Sequence, residues 1–171
     1  DYGKAKARVT KAIRYTTECN DIVKLTRQVL FEVDFEKAYT KAGNSMAIST
    51  DTVKNTCYAI AKKSTHVQTI ECYGYKLGKH FIDKYSHVTH ANVHIVQSHW
   101  TRIDVNGKPH PHSFYRNEAE TRQTWVIVTL DSVSIRSYLE GLLVLKTTGS
   151  SFTDIHVCEN TATKMPLRVR G

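Results

Sequence analysis

The run Asn20-Asp21-Ile22-Val23-Lys24-Leu25-Thr26-Arg27-Gln28-Val29-Leu30-Phe31-Glu32-Val33-Asp34-Phe35-Glu36, continued to Lys41, decides the fold. Val23, Leu25, Val29, Phe31, Val33 and Phe35 take odd positions. Lys24, Thr26, Gln28, Glu32, Asp34 and Glu36 take even ones. Successive side chains of a strand point to opposite faces, so a period of two over 20–41 predicts one long strand with one wet face. Residues 7–16 alternate less regularly, with Val9, Ile13 and Tyr15 on one side, and read as a preceding strand. Asn20-Asp21 supplies turn chemistry between them, which makes an antiparallel hairpin.

The period then changes. Ser49-Thr50-Asp51-Thr52 offers helix N-cap chemistry, and Val53, Thr56, Cys57, Ile60 and Ala61 follow at helical spacing. Lys62-Lys63 falls in the last turn, where cations suit the helix dipole. A second helix is predicted over 68–84, with Ile70, Tyr73, Leu77 and Phe81 on one stripe. Alternation returns over 88–103. Asn106-Gly107 signals a turn, although Pro109 and Pro111 predict a connection longer than two residues. The strand Arg122–Leu130 is apolar on both faces and reads as covered on both. A Ser-rich connector, 131–137, then leads to a short strand at Gly141-Leu142-Leu143-Val144-Leu145. Two hairpins flanking two helices give an α+β architecture: an antiparallel ββααββ sheet with helices on one face. Residues 1–149 form this module, and 150–171, without periodicity, read as a divergent or truncated tail.

Composition narrows the function classes. With 171 residues, 40% apolar and 23% charged, the chain can bury a core and is not a disordered sequence. No apolar run approaches the roughly 20 residues of a membrane-spanning helix. The opening Asp1-Tyr2-Gly3-Lys4 reads as a processed or trimmed beginning. A net charge of +8 favours anionic partners. Lysines and arginines are scattered among acids, however, which argues for a solvated face and against a nucleic-acid site. The four cysteines contain no CxxC pair and read as reduced, buried thiols of an intracellular protein. His110-Pro111-His112 and the pair His90 and His94 invite a metal reading. His90 and His94 lie on a strand pattern, and spacing supplies no third ligand, so no metal site is assigned.

Two stretches carry more chemistry: Tyr2-Gly3-Lys4, and Gly43-Asn44-Ser45 followed by Ser49 to Thr56. A hydroxyl at a helix N-terminus sits among free N–H groups where an anion can dock. A desolvated lysine can lose its proton and act as a base. Taken alone, Thr50 or Asp51 is equally a helix cap and Lys4 a solvated cation.

Read together, these segments resemble the urate oxidase (uricase) family. The matching stretches are Tyr2-Gly3-Lys4, Asn44-Ser45, Thr50-Asp51-Thr52-Val53-Lys54-Asn55-Thr56, His80-Phe81, His99-Trp100-Thr101-Arg102, Gly107 through Phe114, and Gly141-Leu142 through Ser151-Phe152. The resemblance implies a tunnelling fold, with two such modules in tandem in each family chain and a homotetramer around a tunnel. It implies oxidation of urate by molecular oxygen with no metal or organic cofactor, giving 5-hydroxyisourate and hydrogen peroxide in purine catabolism. Lys4 and Thr50 match the family's catalytic lysine and threonine, a proton relay. Thr50 and Asp51 match substrate-binding positions, and Phe152 the aromatic that stacks on the purine. The resemblance places these residues at a subunit interface, Lys4, Thr50 and Asp51 in one site and Phe152 in another. The family's remaining urate ligands lie in a second module. Counting forward puts Val169 where the family has an arginine clamp. A peroxisomal location is implied by kinship alone, since Val169-Arg170-Gly171 is not a Ser-Lys-Leu type address. Two alternatives stand beside the enzyme: an inactive module binding purine or pterin rings, and an assembly subunit.

Overall fold

A computed structural model describes residues 2–16, 19–33, 36, 40–41, 43–65, 67 and 69–149. Its strands are β1 (Tyr2–Arg14), β2 (Asn20–Glu32), β3 (His90–Val105), β4 (Lys108–Thr129) and β5 (Val133–Glu140), and its helices are α1 (Thr50–Lys63) and α2 (Ile70–Lys84). The strands form one antiparallel sheet in sequential order, β1-β2-β3-β4-β5. Both helices pack on one face, so the architecture is the expected ββααββ sheet, extended by β5.

The alternation in β2 has the expected physical result. Val23, Leu25, Val29 and Phe31 are buried with Ala91, Val93 and Ile95 of β3 and Val126 and Val128 of β4. Val53, Cys57 and Ala61 of α1 cover this face, as do Ile70, Tyr73, Leu77 and Phe81 of α2. Gly74 and Gly78, one turn apart, bring α2 close to the sheet. A Cβ at Gly78 would lie 2.6 Å from Val128 Cγ2, and one at Gly74 2.8 Å from Val126 Cγ2. Those distances are closer than carbon atoms can approach without displacement.

Several boundaries differ from the sequence expectation. Asn20 and Asp21 are strand, paired with Arg14 and Ile13, because Arg102 donates to the Asn20 carbonyl and to Asp21 Oδ1. The reversal lies earlier, where the N–H groups of Tyr15 and Thr16 donate to Cys19 O. β2 stops at Glu32, not 41, because its partner β3 begins opposite it at His90. Asn106 and Gly107 (φ 53° and 75°) make a two-residue turn between the paired Val105 and Lys108, both in the left-handed backbone conformation of turns whose twist matches the right-handed twist of the strands. Pro109 does not lengthen it. β5 pairs only with Thr121–Val128, so the flank of β4 near Pro109 has no second strand needing an N–H.

The last strand is Val133–Glu140, not 141–145. The Ser-rich stretch itself alternates, and its residues pair with β4 from Val128↔Val133 to Thr121↔Glu140. Leu142 to Leu145 are exposed and outside regular structure. The second face of β4 is also open: Trp125 and Ile127 are each 39% exposed. Of the thiols, Cys57 is buried but Cys72 is exposed.

Glu71 ties α2 to the far strands. Arg122 Nη2 donates to its two carboxylate oxygens at 2.9 and 3.1 Å, and Ser137 Oγ donates at 2.8 Å. Desolvation pushes this carboxyl up, but its own backbone N–H, Ser137 and Arg122 outweigh that and leave it below the usual glutamate value. A depressed carboxylate stabilises the fold above its unfolded pKa, and that contribution disappears as pH falls through the folded one. Glu71→Gln is therefore expected to lower stability at neutral pH. Its deficit should shrink as urea unfolding is repeated at falling pH below the ordinary glutamate range. Phe81, fully buried with its ring centroid 4.8 Å from that of Phe31, gives the complementary test. Phe81→Ala should cost about 3–5 kcal/mol in the same measurement.

Candidate active site

The beginning of β1 carries the feature that assembles the site. Lys4 pairs with Val29, but Ala7 pairs with Arg27, so Ala5 and Lys6 together oppose one residue of β2. This is a β-bulge, and Lys6 adopts φ 58° to make it. Strand side chains alternate, so one extra residue inverts the pattern. Beyond the bulge Ala7 and Val9 face the helices, and before it Tyr2 and Lys4 do. Strict alternation back from Val9 would have sent Lys4 to the opposite face. Gly3 is equally constrained: a Cβ there would lie 1.9 Å from Val29 O. In Tyr2-Gly3-Lys4 the glycine lets the strand lie flush on β2 and the flanking side chains project inward.

The start of α1 is brought to these residues. The Tyr2 hydroxyl donates to Ile48 O, two residues before the helix. At the other end, Lys11 Nζ donates to Ala61 O (2.9 Å) and Ser64 O (2.8 Å), satisfying carbonyls that a helix C-terminus leaves unpaired. β1 therefore grips α1 at both ends. Ser49 occupies the N-cap position without a side-chain capping bond, and Thr50 is the first helical residue. The capping roles considered for Thr50 and Asp51 do not apply, and both side chains are exposed.

Asp51 reports on its surroundings. Its carboxyl is held below the ordinary aspartate value chiefly by the hydrogen bond from Lys54 Nζ (2.7 Å), then by the Lys54 charge, with the positive charge of Lys4 adding to the effect. Lys54 is raised in turn by Asp51. Lys4, half-buried, faces the helix side of the sheet, and its charge is the smallest of the influences on Asp51, the residue after Thr50 in the first turn of α1. The free N–H groups of that turn and the exposed Thr50 hydroxyl make a surface-open helix terminus suited to an anion. Phe152 lies outside the described residues, as do Val169 and its neighbours.

The other motif segments do different work. Arg102, from His99-Trp100-Thr101-Arg102, stacks on Phe114 with its guanidinium carbon 4.8 Å from the ring centroid. It donates to Pro111 O at 2.9 Å and His110 O at 3.3 Å, besides Asn20 and Asp21. These two stretches therefore clamp the β3–β4 arm to the start of β2, beside a cavity of about 440 Å³ that Lys4, Thr50 and Asp51 do not line. His80 packs edge-on against Phe81, and burial, then Lys84, lowers its pKa. His94 stacks on Trp125 at 4.0 Å and shares a hydrogen bond with Gln123.

An antiparallel sheet with two helices on one face is the arrangement of a tunnelling-fold module. A sequence model of the uricase family matches residues 1–127. The chain is 44% identical to the uricase of Schizosaccharomyces pombe, with 94% of this chain and 54% of that protein covered. It is 45% identical to the Aspergillus flavus uricase, with 88% and 50% covered. The crystal structure of the Arthrobacter globiformis uricase superposes with a TM-score of 0.73 at 36% identity, covering 94% of this chain and 53% of that one. The chain belongs to the uricase family, and it spans about half the length of the curated relatives it matches.

The proximity of Lys4 to α1 can be read directly in solution. In a carboxyl-detected NMR titration, Lys54→Met should raise the Asp51 pKa most, and Lys4→Met should raise it slightly. An Asp51 that titrates identically with and without Lys4 would separate the two.

Proposed function

We propose that this chain provides half of a urate-oxidising site in purine catabolism. The reaction is urate plus O2 plus water giving 5-hydroxyisourate plus H2O2, with no metal or organic cofactor. The observation that carries the reading is the β1 bulge, which turns Lys4 to the face of the sheet that α1 covers. Here the Lys4 amine, made neutral when the completed interface desolvates it, takes a proton from the reacting centre through the Thr50 hydroxyl. The Asp51 backbone N–H donates to the purine anion, whose charge would be very costly to bury unpaired. Phe152 stacks on the purine of a neighbouring site, and the complement comes from a second module across a subunit interface in a homotetramer. An open half-site agrees with this, since Thr50 and Asp51 face solvent in the single chain. A peroxisomal location belongs to the same proposal.

One feature favours a second reading, an inactive ring-binding or assembly module. Val169 stands at the position of the family's arginine clamp, between Arg168 and Arg170. Urate titration followed by peroxide detection on the full-length protein separates the readings: binding with peroxide, binding without it, or neither.

Within the enzyme reading, Lys4→Met in the full-length protein should lower kcat by roughly tenfold or more while KM moves much less, as expected when help to the transition state is lost but ground-state binding is kept. Steady-state oxygen uptake against urate concentration measures both. A similar loss from Lys62→Met, an exposed lysine at the opposite end of α1, would remove the special role of Lys4.

A further inference from the structure

Arg27 is the one charged residue buried in the core among the described residues, at 1% exposure. It stands on the inward face of β2, opposite Ala7 of β1 and Ile95 of β3. Its Nη1 donates to Cys57 O of α1 at 3.0 Å and to the Tyr73 hydroxyl, which itself donates to Cys57 O at 2.9 Å. The rings of Tyr58 and Tyr73 lie 5.6 and 5.4 Å from the guanidinium carbon. The remaining donors, Nε and Nη2, are buried and have no hydrogen-bond partner among the described residues. These two nitrogens share one edge of the guanidinium, the side-on fork that grips an acceptor at two points.

A guanidinium does not deprotonate in a protein, so burial cannot be relieved by neutralisation. A buried charge is tolerated when paired and hydrogen-bonded, and here, among the described residues, two tyrosine rings face the guanidinium but no carboxylate pairs with it and the fork is unfilled. We propose that the Arg27 fork holds a small monovalent anion of halide size. A water molecule would accept from the fork but leave the charge uncompensated. A sulfate or phosphate would bring more acceptor oxygens, and more charge, than two N–H groups between phenol rings can satisfy. A halide needs only the two donors and the cation. Tyr58, 40% exposed, lies over the guanidinium and also walls an open groove of about 420 Å³ between β1 and α1, so a swing of this one ring would open the fork to the groove. Lys11 and Lys62 line that groove and favour entry of an anion. The site shares no residue with Lys4, Thr50 or Asp51 and is independent of the proposed oxidation.

The test uses crystals of the full-length protein soaked in bromide. An anomalous difference peak within hydrogen-bonding distance of both Nε and Nη2 is expected. A water or empty density at the fork, at bromide levels that label other sites, overturns the proposal. In solution, replacing gluconate by chloride or bromide at constant ionic strength should raise the thermal midpoint by several degrees and saturate. Arg27→Met, which leaves the Tyr73 bond to Cys57 O in place, should lose that response. An equal response in the variant overturns the proposal, and if the variant does not fold, the bromide diffraction of the unaltered protein decides alone.

Discussion

One additional residue in β1 governs which way Lys4 faces. The bulge between Lys4 and Ala7 inverts the facing of the strand, so Val9 seals the core while Lys4, five residues earlier, turns to the same side. Without the inversion the amine would sit on the bare face of the sheet, away from α1. The bulge requires Lys6 in a left-handed conformation, which is unfavourable for a residue with a Cβ and persists when the surroundings over-determine it. The pairing of Tyr2 with Phe31, the absence of a side chain at Gly3 and the bond from Tyr2 to Ile48 supply that determination.

The position of α1 depends in turn on the layer beneath it. The inward faces of β2, β3 and β4 are apolar and must be covered, and α2 settles on them through Gly74 and Gly78. With α2 seated, α1 fills the remaining strip over β1 and β2, held by Tyr2 near its start and Lys11 at its end. The site is thus a consequence of packing and not of a mobile loop. The opposite face of the sheet, with Trp125, Ile127 and Tyr138 partly exposed, is left uncovered by this chain.

Period-two and helical patterns in β2, α1 and α2 were legible because burial on one face selects side chains directly. Ends of elements were less so. β2 ends where β3 ceases to accompany it, and Asn20-Asp21 joins a strand because of Arg102, eighty residues away in the chain. Such tertiary partners leave no local trace. β5 was hidden by its serines, Ser134 and Ser137, which cost little on a fully exposed edge strand. The residue types of the site were legible through kinship, but the bulge that unites them was not, since Ala5-Lys6 carries none of the glycine usually marking a left-handed residue. Arg27 was hidden in the same manner: it occupies an odd, inward position of β2 that the alternation reserves for an apolar side chain.

The account rests on an amine and a hydroxyl from distant parts of the chain acting on one proton. A crystal structure of the full-length protein with an unreactive purine anion bound tests it most directly, through the separation of Lys4 Nζ and Thr50 Oγ1 beside the ligand. The account requires the two atoms to be joined by a hydrogen bond, directly or through one ordered water, with the purine edge at the N-terminus of α1. A purine bound elsewhere, or a lysine too far from Thr50 for a single water to bridge, would contradict it.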